Sequence, residues 1–278
     1  MEIKQIIKRA ILYIFKGVPV QQQVVVRPQI SYLSPHNRMC GKKVIVTGGN
    51  RGLGYAMAKR IVEEGGHVVI AGRNEDSLRK ASDKIGCPYV LMDVLRPDTF
   101  DSFMASCEEV LPGINGLINN AGISLHEGDF RRVEPRQFNV QFDTNLRGSY
   151  FMTQAFVHLL ESRNRLGVVL LVSSETGETV DYLPYGLTKA SIHSLTKGLA
   201  KYLIKSGIRV NAIAPGVTAS DMTGFASDGN LYCPYNLTHR AYLPEEVAEV
   251  ACFLLSDAAS ILNGQILVTN EGKTINLR

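Results

Sequence analysis

The sequence has little net charge and no run of apolar residues that is long enough to span a bilayer. A membrane-spanning helix needs about twenty consecutive apolar residues, and no stretch comes near that length. The formal net charge of +4 over 278 residues is small compared with the concentrated basic faces of nucleic-acid-binding proteins. We therefore expect a soluble, cytoplasmic protein that has no nucleic-acid partner.

The sequence also lacks the patterns typical of structural metal sites and disulfide frameworks. Its five cysteines are widely dispersed, no C-x-x-C is present, and no His or Cys residues have the spacing of zinc ligands. This usage predicts a reducing compartment and no bound metal. The composition, 45% hydrophobic and 20% charged, is that of an ordinary globular chain, and the length suits a single α/β domain.

Residues 1–40 differ from the rest because they are strongly basic, with six Lys and Arg against a single acid, Glu2. Between residues 3 and 14, isoleucines and Ala10 recur at i, i+3 and i+4, which predicts an amphipathic helix. Three interpretations stay open. The helix docks on the core or on a sister subunit, residues 3–16 make peripheral contact with an anionic membrane, or the segment is a cleaved targeting sequence. We therefore divide the chain into a basic extension, 1–40, and a domain, 41–278.

From residue 41 on, short β-branched runs alternate with helical stretches. Seven such runs are too short for helices and suit strands that are buried on both faces of a sheet. Helices are predicted over residues 54–64, 138–162, 185–205 and 244–256. This alternation predicts a Rossmann-type, doubly wound α/β fold with a seven-stranded, mostly parallel sheet. Ligands of such folds bind at the carboxyl ends of the strands, so functional residues should follow each strand.

A glycine-rich loop follows the first predicted strand. Glycines at positions 48, 52 and 54 let the backbone turn tightly and approach a pyrophosphate, which would lie at the positive end of the next helix. The spacing is G-x-x-x-G-x-G, and its place between a strand and a helix favours a dinucleotide site over a simple turn. The candidate cofactor-binding residues of this loop are Gly48, Asn50, Arg51, Gly52, Leu53 and Gly54.

The end of the second strand predicts which dinucleotide is bound. Enzymes that use NAD usually place an acidic residue here to bind the ribose hydroxyl, but the sequence has Gly72, followed by Arg73 and Asn74. A guanidinium can hold a 2′-phosphate through charge-assisted bidentate bonds, and Arg51 supplies a second cation nearby. The two arginines favour NADP(H) as the cofactor.

Three motifs together resemble the short-chain dehydrogenase/reductase family. They are the glycine loop, Asn119-Asn120-Ala121-Gly122 after the fourth strand, and Tyr185-x-x-x-Lys189. The resemblance extends from about residue 41 to residue 272, with the motifs in the family's order. It implies a cofactor-dependent oxidoreductase, similar to 3-oxoacyl-(acyl-carrier-protein) reductase and glucose dehydrogenase-like members.

The resemblance also implies a catalytic set of four residues. Tyr185 would be the acid/base, and Lys189, four residues later on the same helix face, would bind the nicotinamide ribose. We expect the ammonium to lower the pKa of the phenol, because a nearby opposite charge favours the ionised form. Ser174 would orient the substrate carbonyl, with Ser173 as the alternative. Asn145 would hold a water that links the lysine to solvent, and a purely structural role in kinking its helix is compatible with this.

The family pattern further implies cofactor contacts from the ends of the other strands. Asp93 and Val94 match an adenine contact, although an aspartate there could equally cap a turn. Asn119 matches a brace of the sheet, and Ala121 and Gly122 allow close packing of the cofactor. Farther along the chain, the matching positions are Pro215, Gly216, Val217, whose backbone would fix the carboxamide, and Ser220.

The predicted function is therefore reversible hydride transfer between NADP(H) and a small-molecule carbonyl or alcohol, with reduction as the favoured direction. The substrate is left open. Acidic and hydroxyl side chains in 175–183 favour a sugar-like carbonyl, whereas Arg131 and Lys201 resemble basic positions that receive an acidic acyl carrier. The family implies a homodimer or homotetramer. The alternative is a cofactor-binding sensor or scaffold without turnover. The sequence departs from the family at Asn270-Glu271-Gly272, where a pair of glycines is usual.

Overall fold

A computed structural model describes residues 37–275 of the chain. The amphipathic helix predicted for residues 3–16, and most of the basic extension, lie outside the described residues. The domain boundary at residue 40 stays a prediction, and Met39, just before it, is fully buried in the hydrophobic core. Arg38 is tied to the same body through ion pairs with Glu64 and Glu249.

The seven predicted strands are confirmed, and they form one parallel sheet with the order β3-β2-β1-β4-β5-β6-β7. The chain runs outward from β1 to β3 and then crosses to the other side of β1. The carboxyl ends of β1 and β4 therefore flank the crevice where the strand order reverses, which is the usual ligand site of this fold. The strands are β1 Lys43–Thr47, β2 His67–Gly72, β3 Tyr89–Leu91, β4 Gly116–Asn119, β5 Gly167–Val172, β6 Ile208–Pro215 and β7 Ile266–Thr269.

The helices cover both faces of the sheet, so the strands are apolar on both sides. Along β1, Val44 and Val46 pack on one face, against α1, α2 and α7, whereas Ile45 packs on the other, against α3, α5 and α6. This is why the strands read as continuous apolar runs. The helices are α1 Gly52–Glu63, α2 Glu75–Ile85, α3 Phe100–Val110, α4 Pro135–Gln141, α5 Gly148–Ser162, α6 Pro184–Leu203 and α7 Pro244–Leu255.

The predicted helix over residues 138–162 is helical throughout, but it is not a single α-helix. It divides into α4 and α5, with a π-helical segment, Phe142–Arg147, between them. Such wide turns are often found at functional sites, and this one carries Asn145. Helix α7 begins with Pro244 and two acids in its first turn, as predicted from the sequence.

Candidate active site

The glycine loop between β1 and α1 has a backbone that only glycine accommodates without strain at its key positions. Gly48 lies in the left-handed region at φ +65°, as does Gly52 at φ +53°. A Cβ on Gly54 would lie 2.2 Å from the Gly48 carbonyl oxygen, so the start of α1 packs directly on the turn. The conformation of the loop therefore fits the role predicted from its glycine pattern, which is to let the backbone approach a phosphate.

Asn50 and Leu53 support this loop from within the protein. The Asn50 side-chain amide donates to the Ser77 hydroxyl at 2.9 Å, which connects the loop to the start of α2. Leu53 packs against the hydrophobic core below the loop. Asn74 caps α2, since its side-chain oxygen accepts a hydrogen bond from the Ser77 backbone N–H at 2.8 Å. In this structure the side chains of these residues hold the loop in place.

The two arginines that favour NADP(H) in the sequence occupy different electrostatic settings. Arg73 is exposed at the end of β2 and has no ion-pair partner among residues 37–275. Arg51 is also exposed, but its guanidinium lies 2.8 Å from the Asp221 carboxylate. Because both members of this pair are about three-quarters exposed, the interaction is weak and leaves Arg51 able to turn toward another anion.

Asp93 and Val94, at the end of β3, have clear structural contacts. The Asp93 carboxylate accepts a hydrogen bond from the Leu95 N–H at 3.0 Å, which is the turn-capping role considered for it. Val94 packs against the start of α5, where a Cβ on Gly148 would lie 2.1 Å from the Val94 Cγ2. An adenine contact from this strand end stays a prediction.

The ends of β1 and β4 are joined by Thr47, a residue that the sequence analysis did not single out. Its hydroxyl accepts hydrogen bonds from the N–H groups of Asn120 and Ala121, at 3.0 and 3.1 Å. The Asn119 side chain points the other way and donates to the Thr153 hydroxyl on α5 at 2.8 Å. The position of Thr47 directly before the first glycine is the sequence signal that could have identified it.

Asn145 is buried, and its side-chain amide is hydrogen-bonded to other residues of the protein. The amide donates to the Ile123 carbonyl at 2.9 Å and to the Thr188 hydroxyl at 3.1 Å, and it accepts from the Ile123 N–H at 2.8 Å. Gly122 lies between Asn145 and Lys189. A Cβ on Gly122 would lie 3.3 Å from the Asn145 Oδ1 and 3.7 Å from the Lys189 Nζ. Asn145 therefore holds the loop after β4 against α6.

Tyr185, Ser174 and Lys189 meet where β5 ends and α6 begins. The Ser174 side chain lies near enough to the Tyr185 hydroxyl to lower the pKa of the phenol, and the Lys189 Nζ lies 5.6 Å from the centroid of the Tyr185 ring. The ammonium donates to the Val172 carbonyl at 2.9 Å. It therefore lies beside the ring and is held by the end of the strand. Thr188 fixes this turn of the helix, because its hydroxyl donates to the Tyr185 carbonyl at 2.7 Å.

The neighbouring serine has a different role. The Ser173 hydroxyl donates to the backbone carbonyl of Lys189 at 3.1 Å, which ties β5 to α6. Ser174 instead faces Tyr185 and accepts a hydrogen bond from the Thr176 N–H at 3.3 Å. Of the two serines considered from the sequence, the geometry therefore favours Ser174.

The expectation that Lys189 lowers the pKa of Tyr185 is wrong for this structure. Burial raises the pKa of Tyr185, and the hydrogen bond to Ser174 opposes that shift only in part. Burial also lowers the pKa of Lys189, to about 8. Both groups are pushed toward their neutral forms because the site excludes water from each of them. The result is a phenol that keeps its proton, next to an amine whose charge changes near physiological pH.

The segment after β6 brings the last group of predicted residues to the same edge. Pro215 ends the strand, and the Gly216 N–H donates to the Thr269 carbonyl at 3.1 Å. The Val217 carbonyl accepts from the Tyr242 N–H at 2.9 Å and from the Asn236 side chain at 3.1 Å. A carboxamide contact from Val217 would therefore use its N–H.

Ser220 lies at the glycine loop. A Cβ on Gly52 would be 3.7 Å from the Ser220 Cβ, and both residues line a cleft of about 210 Å³ next to the start of α1. The Ser220 hydroxyl is 3.2 Å from that of Thr223, within a turn of the same loop. The segment that follows β6 therefore closes over the glycine loop.

The three acids that favoured a sugar-like substrate all have protein partners. The Asp181 carboxylate accepts from the N–H groups of Tyr182 and Leu183, at 2.7 and 2.9 Å. Glu178 lies 3.1 Å from the Nδ1 of His193, and Glu175 is buried against Lys273. The three acids therefore give less support to a sugar-like substrate, because their carboxylates bind other residues of the protein. Arg131, one of the cations that favoured an acyl carrier, pairs with Asp129 at 3.0 Å.

Within residues 37–275, no group of three or more His, Cys, Asp or Glu side chains could hold a metal ion. None of the helices in that range is both long and apolar enough to cross a bilayer.

A family model described as enoyl-(acyl carrier protein) reductase matches residues 48–274. Curated proteins that resemble the chain include the 3-oxoacyl-(acyl-carrier-protein) reductase FabG of Aquifex aeolicus. It is 31% identical over 84% of this chain and 98% of its own length. The gluconate 5-dehydrogenase of Gluconobacter oxydans is 30% identical over 86% of this chain and 97% of its own.

Solved structures resemble the fold over the same region. A short-chain type dehydrogenase/reductase from Mycobacterium marinum superposes with a TM-score of 0.79 at 27% identity. It covers 86% of this chain and 97% of its own. The family model covers the chain from the glycine loop to the turn after β7.

Proposed function

Because this chain belongs to the short-chain dehydrogenase/reductase family, we propose that it is an NADP(H)-dependent oxidoreductase that interconverts a carbonyl and a secondary alcohol. Members of the family are oxidoreductases that use nicotinamide cofactors, and a doubly wound sheet is the fold expected for them. The choice of NADP(H), the substrate and the role of each residue are the parts that we propose.

The observation that carries the proposal is the meeting of Tyr185, Ser174 and Lys189 where β5 ends and α6 begins, with the Lys189 Nζ 5.6 Å from the centroid of the Tyr185 ring. A general acid must hold its proton at the working pH and release it to a substrate oxygen within hydrogen-bond reach. Burial gives Tyr185 the first property, because it raises the pKa of the phenol. The Ser174 hydroxyl gives a second donor for the same oxygen, on which negative charge develops during reduction.

The cofactor half of the proposal rests on the loop after β1 and on the two exposed arginines. The positive φ angles of Gly48 and Gly52 leave backbone where a pyrophosphate can approach the start of α1. Arg73 at the end of β2 is a cation without an ion-pair partner in the range 37–275, and Arg51 is held only by an exposed pair. This arrangement supports binding of the 2′-phosphate of NADP(H).

The bound nicotinamide would supply a hydride to the carbonyl carbon. Tyr185 would give its proton to the carbonyl oxygen, so that the hydride and the proton together complete the two-electron reduction. Lys189 would hold the nicotinamide ribose, and Ser174 would orient the carbonyl. We propose reduction as the favoured direction, in which the protonated phenol of Tyr185 donates to the carbonyl oxygen.

The substrate that we propose is a 3-oxoacyl or sugar-like carbonyl. The names of the relatives support both classes, since one acts on 3-oxoacyl-(acyl-carrier-protein) and the other on gluconate. The walls of the site would come from residues 124–132, 175–183 and 220–243, which follow β4, β5 and β6. The internal contacts of Glu175, Glu178 and Asp181 weigh against direct recognition of sugar hydroxyls by these carboxylates.

We also propose a homodimer or homotetramer in the cytoplasm. Large apolar side chains are exposed on α5 and α6, among them Phe151, Leu187 and Tyr202, which supports burial of these helices between subunits. Peripheral membrane contact through residues 3–16 stays a prediction. Light scattering of the full chain, with and without anionic vesicles, measures both properties.

The experiment that tests the function is NADPH oxidation in the presence of a panel of 3-oxoacyl, sugar and simple ketone substrates. We expect turnover with at least one member of the panel and little oxidation without a carbonyl. Cofactor binding without turnover of any carbonyl would contradict the proposal and favour a sensor or scaffold. Failure to bind NADPH at all would contradict the cofactor assignment.

A further inference from the structure

A buried carboxylate directly follows Ser174. Glu175 begins the short 3₁₀ turn Glu175–Gly177, and its side chain is only 9% exposed. An unpaired carboxylate at this depth would lose most of its hydration without compensation. Its partners therefore decide whether the turn that carries Ser174 is held in place.

Both partners of Glu175 come from the far end of the chain. One carboxylate oxygen accepts a hydrogen bond from the Lys273 ammonium at 2.7 Å, and the other accepts from the Asn270 side chain at 3.0 Å. These residues are 98 and 95 positions away in the sequence. Each carboxylate oxygen thus has one donor from the end of the chain.

The donors sit on a compact turn after β7. Asn270 is buried, its side-chain oxygen accepts from the Gly272 N–H at 3.1 Å, and its amide also donates to the Thr274 hydroxyl at 3.1 Å. The Lys273 N–H donates to the Asn270 carbonyl at 3.1 Å. We call residues 270–274 the C-terminal turn. It is the same stretch in which the sequence departs from the family's pair of glycines.

The contact lies where the carboxyl ends of three neighbouring strands meet. A Cβ on Gly216, just after β6, would lie 3.3 Å from a carboxylate oxygen of Glu175 and 3.1 Å from the Cβ of Asn270. The turn after β5, the residue after β6 and the turn after β7 are therefore in contact through one carboxylate. Such close packing allows little independent movement of any of the three.

We propose that the C-terminal turn positions Ser174 for catalysis, acting through Glu175. This inference rests on the proposed function, since it assigns to Ser174 the orientation of the substrate carbonyl. Glu175 and Lys273 are positioning residues in this proposal, because the Glu175 carboxylate is turned toward Lys273 and Asn270. The ion pair fixes the start of the 3₁₀ turn, and the turn fixes the direction of the Ser174 hydroxyl toward Tyr185.

The anchoring step can be measured without turnover, by hydrogen exchange of the peptide that covers residues 173–179. The variant Lys273→Met keeps the alkyl chain and removes the ammonium, so we expect faster exchange in this peptide. Lys205→Met removes an exposed ammonium outside the C-terminal turn and is the matched control. In this variant the peptide 173–179 should exchange as in the wild type. Unchanged exchange in Lys273→Met would overturn the anchoring by Lys273.

The catalytic step requires a double-mutant cycle with Ser174→Ala. We expect Lys273→Met to lower kcat about tenfold, since a displacement of about 1 Å can cost about 100-fold in rate. NADPH affinity should not change, and Lys273→Arg should restore most of the rate. In the Ser174→Ala background the same substitution should cost less than about twofold, because residues that act as one unit are not additive.

The outcomes separate this inference from the proposed function. An equal loss in both backgrounds would mean that Lys273 supports the fold in general, and would overturn the positioning role. Full activity of Lys273→Met and of Glu175→Gln would also overturn it. If the wild-type protein turned over no carbonyl, the proposed function would fail, whereas hydrogen exchange would still decide whether the C-terminal turn anchors the Ser174 segment.

Discussion

The two sides of the candidate site are built by different means. On the cofactor side, at the ends of β1 and β2, glycine backbone shapes the loop and exposed arginines supply the charge. On the proton-transfer side, at the end of β5 and the start of α6, buried side chains from distant parts of the chain hold one another. One side is shaped by local conformation, and the other by long-range packing.

This difference indicates which side of the site must be ordered before a ligand binds. A large, charged and flexible ligand can complete the cofactor side on binding, so the arginines need not be fixed beforehand. Proton transfer needs donor and acceptor held within hydrogen-bond distance before the reaction, which favours a rigid, water-poor environment. We therefore expect substitutions on the two sides to separate into effects on cofactor affinity and effects on rate.

The largest effect should come from removing the phenol of Tyr185. Tyr185→Phe keeps the ring and loses the proton donor, so kcat should fall about 10²–10⁴-fold while NADPH affinity stays within about twofold. The measurement is steady-state reduction together with a fluorescence titration of NADPH. Tyr182→Phe, at an exposed tyrosine three positions earlier, is the matched control and should remain active.

On the cofactor side, Arg73→Asp should weaken NADPH about 100-fold and change NADH affinity little. The substitution removes a charge-assisted hydrogen bond and adds an anion next to the 2′-phosphate. Titration of both cofactors measures the difference, with Lys80→Asp as a control for the same change of charge at an exposed position nearby. Equal losses of affinity for the two cofactors would show that Arg73 does not bind the 2′-phosphate.

A Cβ on Gly54 should disturb the cofactor loop itself. Gly54→Ala places that atom 2.2 Å from the Gly48 carbonyl oxygen, and overpacking of this kind costs about 1–3 kcal/mol. We expect NADPH affinity to fall about 30-fold, the middle of that range. Gly198→Ala is the control, because a Cβ there meets nothing within 4 Å. A normal NADPH affinity in Gly54→Ala would contradict the tight packing of the loop.

The smallest effect should be a pH dependence that arises from Lys189. Because burial lowers its pKa to about 8, the ammonium is present below that pH and is lost above it. Reduction should therefore slow above pH 8, by about tenfold at pH 9, which is what a single titrating group gives. The rate should be flat from pH 6 to 7, and a rate that stays constant through pH 9 would contradict a requirement for the charged lysine.

The same division explains which features the sequence could predict. The strands, the glycine loop and the Tyr185-x-x-x-Lys189 pair depend on residues close together in the chain, so spacing and periodicity identify them. Helix α2 was missed because most of its residues are polar, and only Leu78, Ala81 and Ile85 are buried. The π-helical segment at Asn145 was also missed, since a wide turn leaves no distinct periodicity.

The proton-transfer side was predicted only in part, because its contacts join residues that are far apart. No sequence pattern links Glu175 to Lys273, so the sequence could not predict that this acid is held by the end of the chain. The direction of the Tyr185 pKa was wrong because the prediction considered charge and left out burial. The ammonium lies beside the ring and donates to the Val172 carbonyl, while the loss of water dominates at the hydroxyl.

The most direct test of the account is to follow deuterium from NADPH that carries deuterium at both C4 hydrogens during reduction of a carbonyl by the wild-type protein. The account predicts an alcohol product with one deuterium on the former carbonyl carbon, formed much more slowly by Tyr185→Phe. An unlabelled product, or the same rate in Tyr185→Phe, would contradict hydride transfer assisted by the Tyr185 phenol.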